Sequence, residues 1–134
     1  MEKVIKFLQE NSILFLATIG LDGKPKVRPF QFMLENEGKL YFCTSNQKKI
    51  YSELKNNPYV ELSTSSKNFA WIRINGKVNF DNSLKLKNKI IENNSLVKSI
   101  YQSGDNPNFE IFYLDNGLIE INDFSQNPSF TIKI

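Results

Sequence analysis

Apolar residues recur at two spacings along this chain, and the changes from one spacing to the other divide it into elements. Val4, Ile5, Phe7 and Leu8 recur every three to four positions before the polar pair Asn11-Ser12, which predicts an amphipathic helix over residues 2–10. Residues 13–19 are a dense apolar run, the pattern of a mostly buried strand, and the glycines at 20 and 23 supply the turn after it. A partner strand is predicted over 25–34, a polar turn over 35–38 and a third strand over 39–44, giving three antiparallel strands in order. From 47 to 56 the period lengthens: Ile50, Tyr51 and Leu54 lie three and four apart, and Asn57-Pro58 ends the segment, so a short helix is predicted there.

Alternation returns over 59–64 and 69–80, joined by a turn at 65–68, with Gly76 marking a bulge or bend. Asp81 is expected to cap a helix carrying Leu84, Leu86, Ile90 and Ile91, which is continued by a helical turn or two over 96–101 and broken at 104–107. A strand over 109–121, with an interruption at 115–117, and a terminal strand over 130–134 complete the chain. About six antiparallel strands with three short helices predict a mainly β fold, a small closed or nearly closed barrel, with an open sandwich as the alternative.

Composition narrows the chemistry. The 134 residues fit one domain, 1–134, with enough apolar content for one core. The longest apolar run is too short to cross a bilayer as a helix, and the first ten residues mix acidic and basic groups unlike a secretory signal; a cytoplasmic location and no membrane partner are expected. With Cys43 the only cysteine and no histidine, an intrachain disulfide, the usual zinc and iron ligand sets and Ser-His-Asp catalysis are excluded. The fourteen acidic residues lack the spacing of a calcium loop, so no metal site is expected. The net charge of +3 is mild, and only Arg28 and Arg73 of the 17 basic residues are arginine, so no nucleic-acid partner is expected.

The third strand ends at Thr44 and the next helix begins near Gln47, which places Thr44, Ser45 and Asn46 where a helix presents unpaired N–H groups. A phosphate there gains those donors, the favourable end of the helix dipole, the two hydroxyls and the charge of Lys48 and Lys49. Arg28 lies on the preceding strand, from which a hairpin neighbour can bring its guanidinium to the same end. Plainer readings stand beside these: Ser45 or Asn46 as a helix cap with solvated lysines, and Arg28 as a surface residue beside an edge-marking Pro29. Strand alternation turns Cys43 away from the face of Thr44, as a small buried apolar residue rather than a redox group.

The string Gly23-Lys-Pro-Lys-Val-Arg-Pro-Phe-Gln31, followed by Leu40-Tyr-Phe-Cys-Thr44, the Lys48-Lys49 pair and Leu54-Lys-Asn-Asn-Pro58, resembles the pyridoxamine 5′-phosphate oxidase-like family of flavin-binding split barrels. Trp71-Ile-Arg-Ile-Asn-Gly76, with a helix beginning at Asp81, resembles its short bacterial members, so the likeness covers nearly the whole chain. The resemblance implies a homodimer of six-stranded antiparallel split β-barrels holding two flavin mononucleotides (FMN) in grooves at the subunit interface. Arg28, Pro29, Phe30 and Gln31 would lie along the isoalloxazine. Thr44 and Ser45 would contact the flavin or its ribityl phosphate, and Lys48 with Lys49 would neutralise the phosphate. Trp71 would be an aromatic wall near the ring or the interface, its alternative being a core tryptophan.

Departures from the family pattern shape the expected activity. True pyridoxamine phosphate oxidases hold the substrate phosphate with a further basic set and an arginine-and-histidine motif near the C-terminus, whereas this chain has no histidine and no arginine after Arg73. A lysine on the arginine-bearing strand of those oxidases corresponds here to Met33. The implied activity is that of an FMN-dependent oxidoreductase acting on a small planar acceptor, with no catalytic side chain identified, in line with members that resemble nitroimidazole-resistance proteins. The alternatives are a flavin-binding or storage module without turnover and a ligand-free partner-binding barrel.

Overall fold

The computed structural model describes residues 1–125 and 128–134. The chain runs α1 (Glu2–Glu10), β1 (Ile13–Ile19), β2 (Pro25–Gln31), β3 (Leu34–Asn36), β4 (Lys39–Ser45), α2 (Lys49–Asn56), β5 (Tyr59–Ser65), β6 (Trp71–Asp81), α3 (Leu84–Asn93), α4 (Ser95–Tyr101), β7 (Phe109–Asn122) and β8 (Phe130–Lys133). All strand pairs are antiparallel, in the order β2-β1-β5-β6-β7-β4-β3, with β8 beside β7. Eight strands form among the described residues where about six were expected. The predicted strand 25–34 breaks in two, giving β2 and β3, and the expected terminal strand forms as β8.

That break closes the barrel. Phe32 N–H donates to Ser12 O, beside β1, while the next amide, Met33 N–H, donates to Tyr41 O on β4, both at 3.0 Å. Two successive peptides thus belong to opposite ends of the sheet, and β2 and β3 fall at the two ends of the strand order. Below this junction β2 and β4 part company, and Phe30 fills the space between them, packing on Phe42 and Phe112 at centroid distances of 6.4 and 5.9 Å.

Two apolar clusters explain the strand patterns. Leu14, Leu16, Leu40, Phe42, Leu62, Ile72, Ile74 and Phe112 fill the barrel, and α1 closes one end of it through Val4 and Leu8. A second cluster, Tyr41, Leu86, Ile90, Ile91, Val97, Tyr101, Phe109 and Ile111, packs α3 and α4 on the outside of β4 and β7. β4 is therefore covered on both faces, which is why it reads as a nearly continuous apolar run.

Three local expectations need correction. The helix after β6 is capped by Ser83, whose hydroxyl accepts from Leu86 N at 3.3 Å, and not by Asp81. Asp81 ends β6, and its carboxylate accepts instead from Ser83 N and from the Tyr41 hydroxyl, both at 2.8 Å. The predicted helix over 47–56 begins at Lys49, because Gln47 N bonds the Ser45 hydroxyl and Lys48 N bonds the Ser45 carbonyl, making a tight turn first. The irregularity at Gly76 and residues 115–117 is one bulge: between the pairs Asn75/Leu118 and Lys77/Asp115, β6 has one residue and β7 has two. The extra residue thus lies on β7, which continues unbroken, with Asn116 at φ 50° and Gly117 so close to the Asn75 carbonyl that a Cβ there would run into it.

Candidate functional site

The separation of β2 from β4 leaves a groove of about 270 Å³. Pro29, Phe30, Gln31 and Met33 line one side, Cys43, Thr44 and Lys48 line the other, and α4 contributes Leu96, Val97, Ile100 and Tyr101. Five of the residues singled out from sequence therefore converge here: Pro29, Phe30, Gln31, Thr44 and Lys48.

Thr44 is the polar group most at odds with its surroundings. It follows Phe42 by two on β4 and so shares its face, at the end of the strand nearest α2. The residue is only 3% exposed, and its hydroxyl is buried with no hydrogen-bond partner among the described residues. A buried hydroxyl left unpaired costs on the order of 1–3 kcal/mol relative to a satisfied one. Its neighbour Ser45 points to the other face, where its hydroxyl is engaged by Gln47 N at 3.1 Å and lies against Tyr101.

The two lysines diverge. Lys48 is the residue that caps α2 with extended backbone (φ −90°, ψ 150°) and reaches the groove. Lys49, one residue into the helix, lines a separate depression with Leu21, Asp22, Lys26, Ser52 and Glu53. Successive helix residues differ by about 100° in direction, so the adjacent charges serve different surfaces.

Arg28 is turned away from the groove as well. Its guanidinium donates to Glu53 Oε1 and to Thr18 Oγ1, both at 2.8 Å, and to Leu16 O at 3.3 Å. Glu53 and Thr18 are buried, and Thr18 also donates to Glu53 at 3.0 Å. Arg28 thus neutralises a buried carboxylate of α2 and ties the β1–β2 hairpin to that helix. Trp71 lies elsewhere on this chain, half-buried on the outer face with Phe15 and Ser65 and packed on Phe124 at 5.3 Å; it is neither in the barrel core nor in the groove.

Cys43 packs against the outer cluster around Tyr41 and Tyr101 and borders the groove. Burial pushes its thiol up to about 12, with the positive charge of Lys48 a smaller opposing influence. A thiol raised in this way favours its protonated form, the poorer nucleophile. Burial also raises Tyr101, and Tyr41 is raised by burial and by its hydrogen bond to Asp81.

Sequence reasoning missed the α4 wall and the Glu53 partner of Arg28. The wall had a readable signal: Leu96 and Ile100 form one stripe and Val97 and Tyr101 another, so α4 is apolar on more than one side, yet only the second stripe is buried. Among the described residues no three His, Cys, Asp or Glu side chains gather to hold a metal ion, and no helix is long and apolar enough to cross a membrane.

The sequence model of the pyridoxamine 5′-phosphate oxidase family matches residues 1–120. A NimC/NimA family protein from Clostridium acetobutylicum is 34% identical and superposes with a TM-score of 0.87 over 98% of this chain and 92% of that one. General stress protein 26 from Bacillus anthracis is 24% identical, with a TM-score of 0.80 over 99% and 97% of the two chains. A pyridoxamine 5′-phosphate oxidase-related, FMN-binding protein from Nostoc punctiforme shares the fold at 17% identity, with a TM-score of 0.73 over 97% and 87%. No curated protein sequence matches the chain significantly.

Proposed function

The chain belongs to the pyridoxamine 5′-phosphate oxidase family, and on that premise we propose that the groove between β2 and β4 binds flavin mononucleotide for an oxidoreductase acting on a small planar acceptor. The observation that carries this reading is the convergence of Pro29, Phe30, Gln31, Thr44 and Lys48 on one groove beside the apolar face of α4. The Thr44 hydroxyl, without a partner among the described residues, is the polar group of that set with hydrogen-bonding capacity to spare. The residues around it suit a phosphorylated ring: the Lys48 ammonium for the phosphate, the Thr44 hydroxyl as a neutral donor or acceptor, and the apolar Pro29, Phe30, Leu96 and Ile100 against an aromatic system.

A flavin bound there supplies the redox chemistry of its ring. The protein's part is to bind and orient. Lys48 offsets the phosphate charge, Thr44 fixes orientation, and Phe30 with the α4 side chains keeps water from the groove. Arg28 contributes indirectly on this reading: held by Glu53, it fixes α2, and with it Lys48, against the barrel.

Met33 lines the same groove at the place where the oxidases of the family carry a lysine, which supports an acceptor without a phosphate. The exposed apolar residues flanking the groove, Ile13, Leu96 and Ile100, support a second copy of the chain covering it, so that the cofactor lies at a homodimer interface.

Lys48→Ala tests the assignment. Its affinity for flavin mononucleotide, followed by quenching of flavin fluorescence, is expected to fall roughly ten-fold or more, the loss of one charge-assisted hydrogen bond. Wild-type protein that purifies colourless and leaves flavin fluorescence unchanged on titration would overturn the reading. Bound flavin that no nicotinamide donor reduces, and that neither quinones nor nitro compounds reoxidise, would make the protein a flavin-binding module instead.

A further inference from the structure

A larger cavity, of about 440 Å³, adjoins the groove and shares Gln31 and Met33 with it. It lies between α1, the β2–β3 junction and the α3–α4 junction, over an apolar base that includes Ile5 and Phe32. Its polar lining is unusual in kind: four carboxamides, Gln9, Gln31, Asn93 and Asn94, together with the Ser12 hydroxyl. Among the described residues Glu35 is the one charged side chain lining it, and neither lysine nor arginine does.

We propose that this cavity is a second ligand compartment that takes an uncharged ring compound bearing amide-like hydrogen-bonding groups and rejects phosphates and carboxylates. Carboxamides offer donors and acceptors in equal measure, which matches neutral polar groups, whereas an anion needs a cation or convergent donors. Glu35 adds repulsion of like charge. Lys48 borders only the neighbouring groove, so the cationic and the carboxamide-lined parts are segregated on the two sides of Gln31 and Met33.

Asn94 is held at the junction between the two. Its Oδ1 accepts from Val97 N at 3.0 Å as the cap of α4, which directs Nδ2 to Gln31 Oε1 at 3.3 Å and towards Met33 Sδ at 3.9 Å. The Gln31 amide nitrogen is not engaged by that bond and remains a donor for a ligand spanning the shared wall. The assignment of this ligand as the partner of a bound flavin rests on the proposed function; the chemical class it takes rests on the cavity itself.

Nicotinamide and nicotinate, alike in shape and different in charge, separate the possibilities. Titration of isotope-labelled protein, with and without flavin mononucleotide, is expected to shift the side-chain amide resonances of Gln9, Gln31, Asn93 and Asn94 with nicotinamide. Nicotinate should bind roughly five-fold more weakly or worse. Glu35→Gln keeps the oxygen that accepts from Gly38 N and is expected to narrow that gap. Asn94→Asp keeps the α4 cap but replaces the donor with an anion, and should weaken nicotinamide roughly three-fold or more. Equal affinity for the two probes, no binding of nicotinamide, or shifts confined to residues near Lys48 would overturn the proposal. If flavin does not bind but nicotinamide still shifts these amides, the flavin reading fails and the compartment stands; flavin binding without those shifts gives the reverse.

Discussion

At Thr44 stability and the proposed ligand binding are expected to separate at a single atom. Thr44→Val keeps the shape and removes the unpaired hydroxyl, so the ligand-free protein is expected to melt at the same temperature or higher, while its affinity for flavin mononucleotide falls roughly five- to ten-fold. Lower stability with unchanged affinity would show that the hydroxyl serves the fold. Cys43 makes a second prediction through pH. Its folded thiol is raised from 9.0 to about 12 by burial, so the folded state holds the proton more tightly than the unfolded state. The stability this confers is complete below pH 9 and is lost as pH rises from 9 towards 12. Tyr41, also raised, contributes with the same sign above pH 10. Urea midpoints measured from pH 8 to 11 should therefore fall, and fall less steeply in Cys43→Ala; identical slopes would mean that the thiol titrates freely. Part of this site was legible residue by residue: alternation along β4 packs Cys43 against the outer cluster, as expected, but the residue is only partly buried and borders the same groove as Thr44, because the open edge between β2 and β4 admits both faces of the strand end. The divergence of Lys48 and Lys49 was not legible, because it depends on where α2 begins, and the Ser45 turn moves that start by two residues.

Among elements, the contact between the β1–β2 hairpin and α2 is where charge enters the packing. Glu53 is buried, is bonded by Arg28 and Thr18, and sits 25 residues along the chain from the arginine. Removing one member of a buried pair strands the other, so Glu53→Ala is expected to cost on the order of 2–3 kcal/mol, below the usual range because part of Arg28 reaches solvent. The double variant Arg28→Met with Glu53→Leu should recover much of that loss in a denaturation series, and flavin affinity should recover with it if Arg28 acts by positioning α2. Recovery of stability without recovery of affinity would make the guanidinium a direct ligand. Elements with strong local patterns, α1, β1 and β5, were readable from periodicity. The break at Phe32-Met33 was not, because it comes from two non-local hydrogen bonds, to Ser12 and Tyr41, while the apolar run itself continues. The same holds for the pairing of Arg28, since no short-range spacing links a strand residue to a helix that follows two further strands.

Over the whole molecule, the outer face of β1 and its neighbours is apolar where a monomer needs water-compatible groups. Ile13 and Phe15 are 52% and 54% exposed, Val27 on β2 is 68% exposed opposite Ala17, and Trp71 stands beside Phe15. The face runs from the groove, which Ile13 lines, across β1 to β6. β1 thus carries apolar residues on both of its faces, which accounts for its continuous hydrophobic run: Leu14 and Leu16 enter the barrel, and Ile13 and Phe15 face outward and are exposed. A second copy of the chain seated there would bury Trp71 and complete the groove from outside, giving the tryptophan the interface role implied by resemblance. Phe15→Lys combined with Val27→Lys places charge on this face without touching the core or the groove, and sedimentation is expected to report a monomer for this variant and a dimer for the wild-type chain. Flavin affinity should drop roughly ten-fold or more in the same variant, because the apolar rim that keeps water from the ring is lost with the partner. A wild-type chain that sediments as a monomer, or a monomeric variant that binds flavin as tightly as before, would place the whole cofactor site within one subunit and leave the apolar face to some other contact.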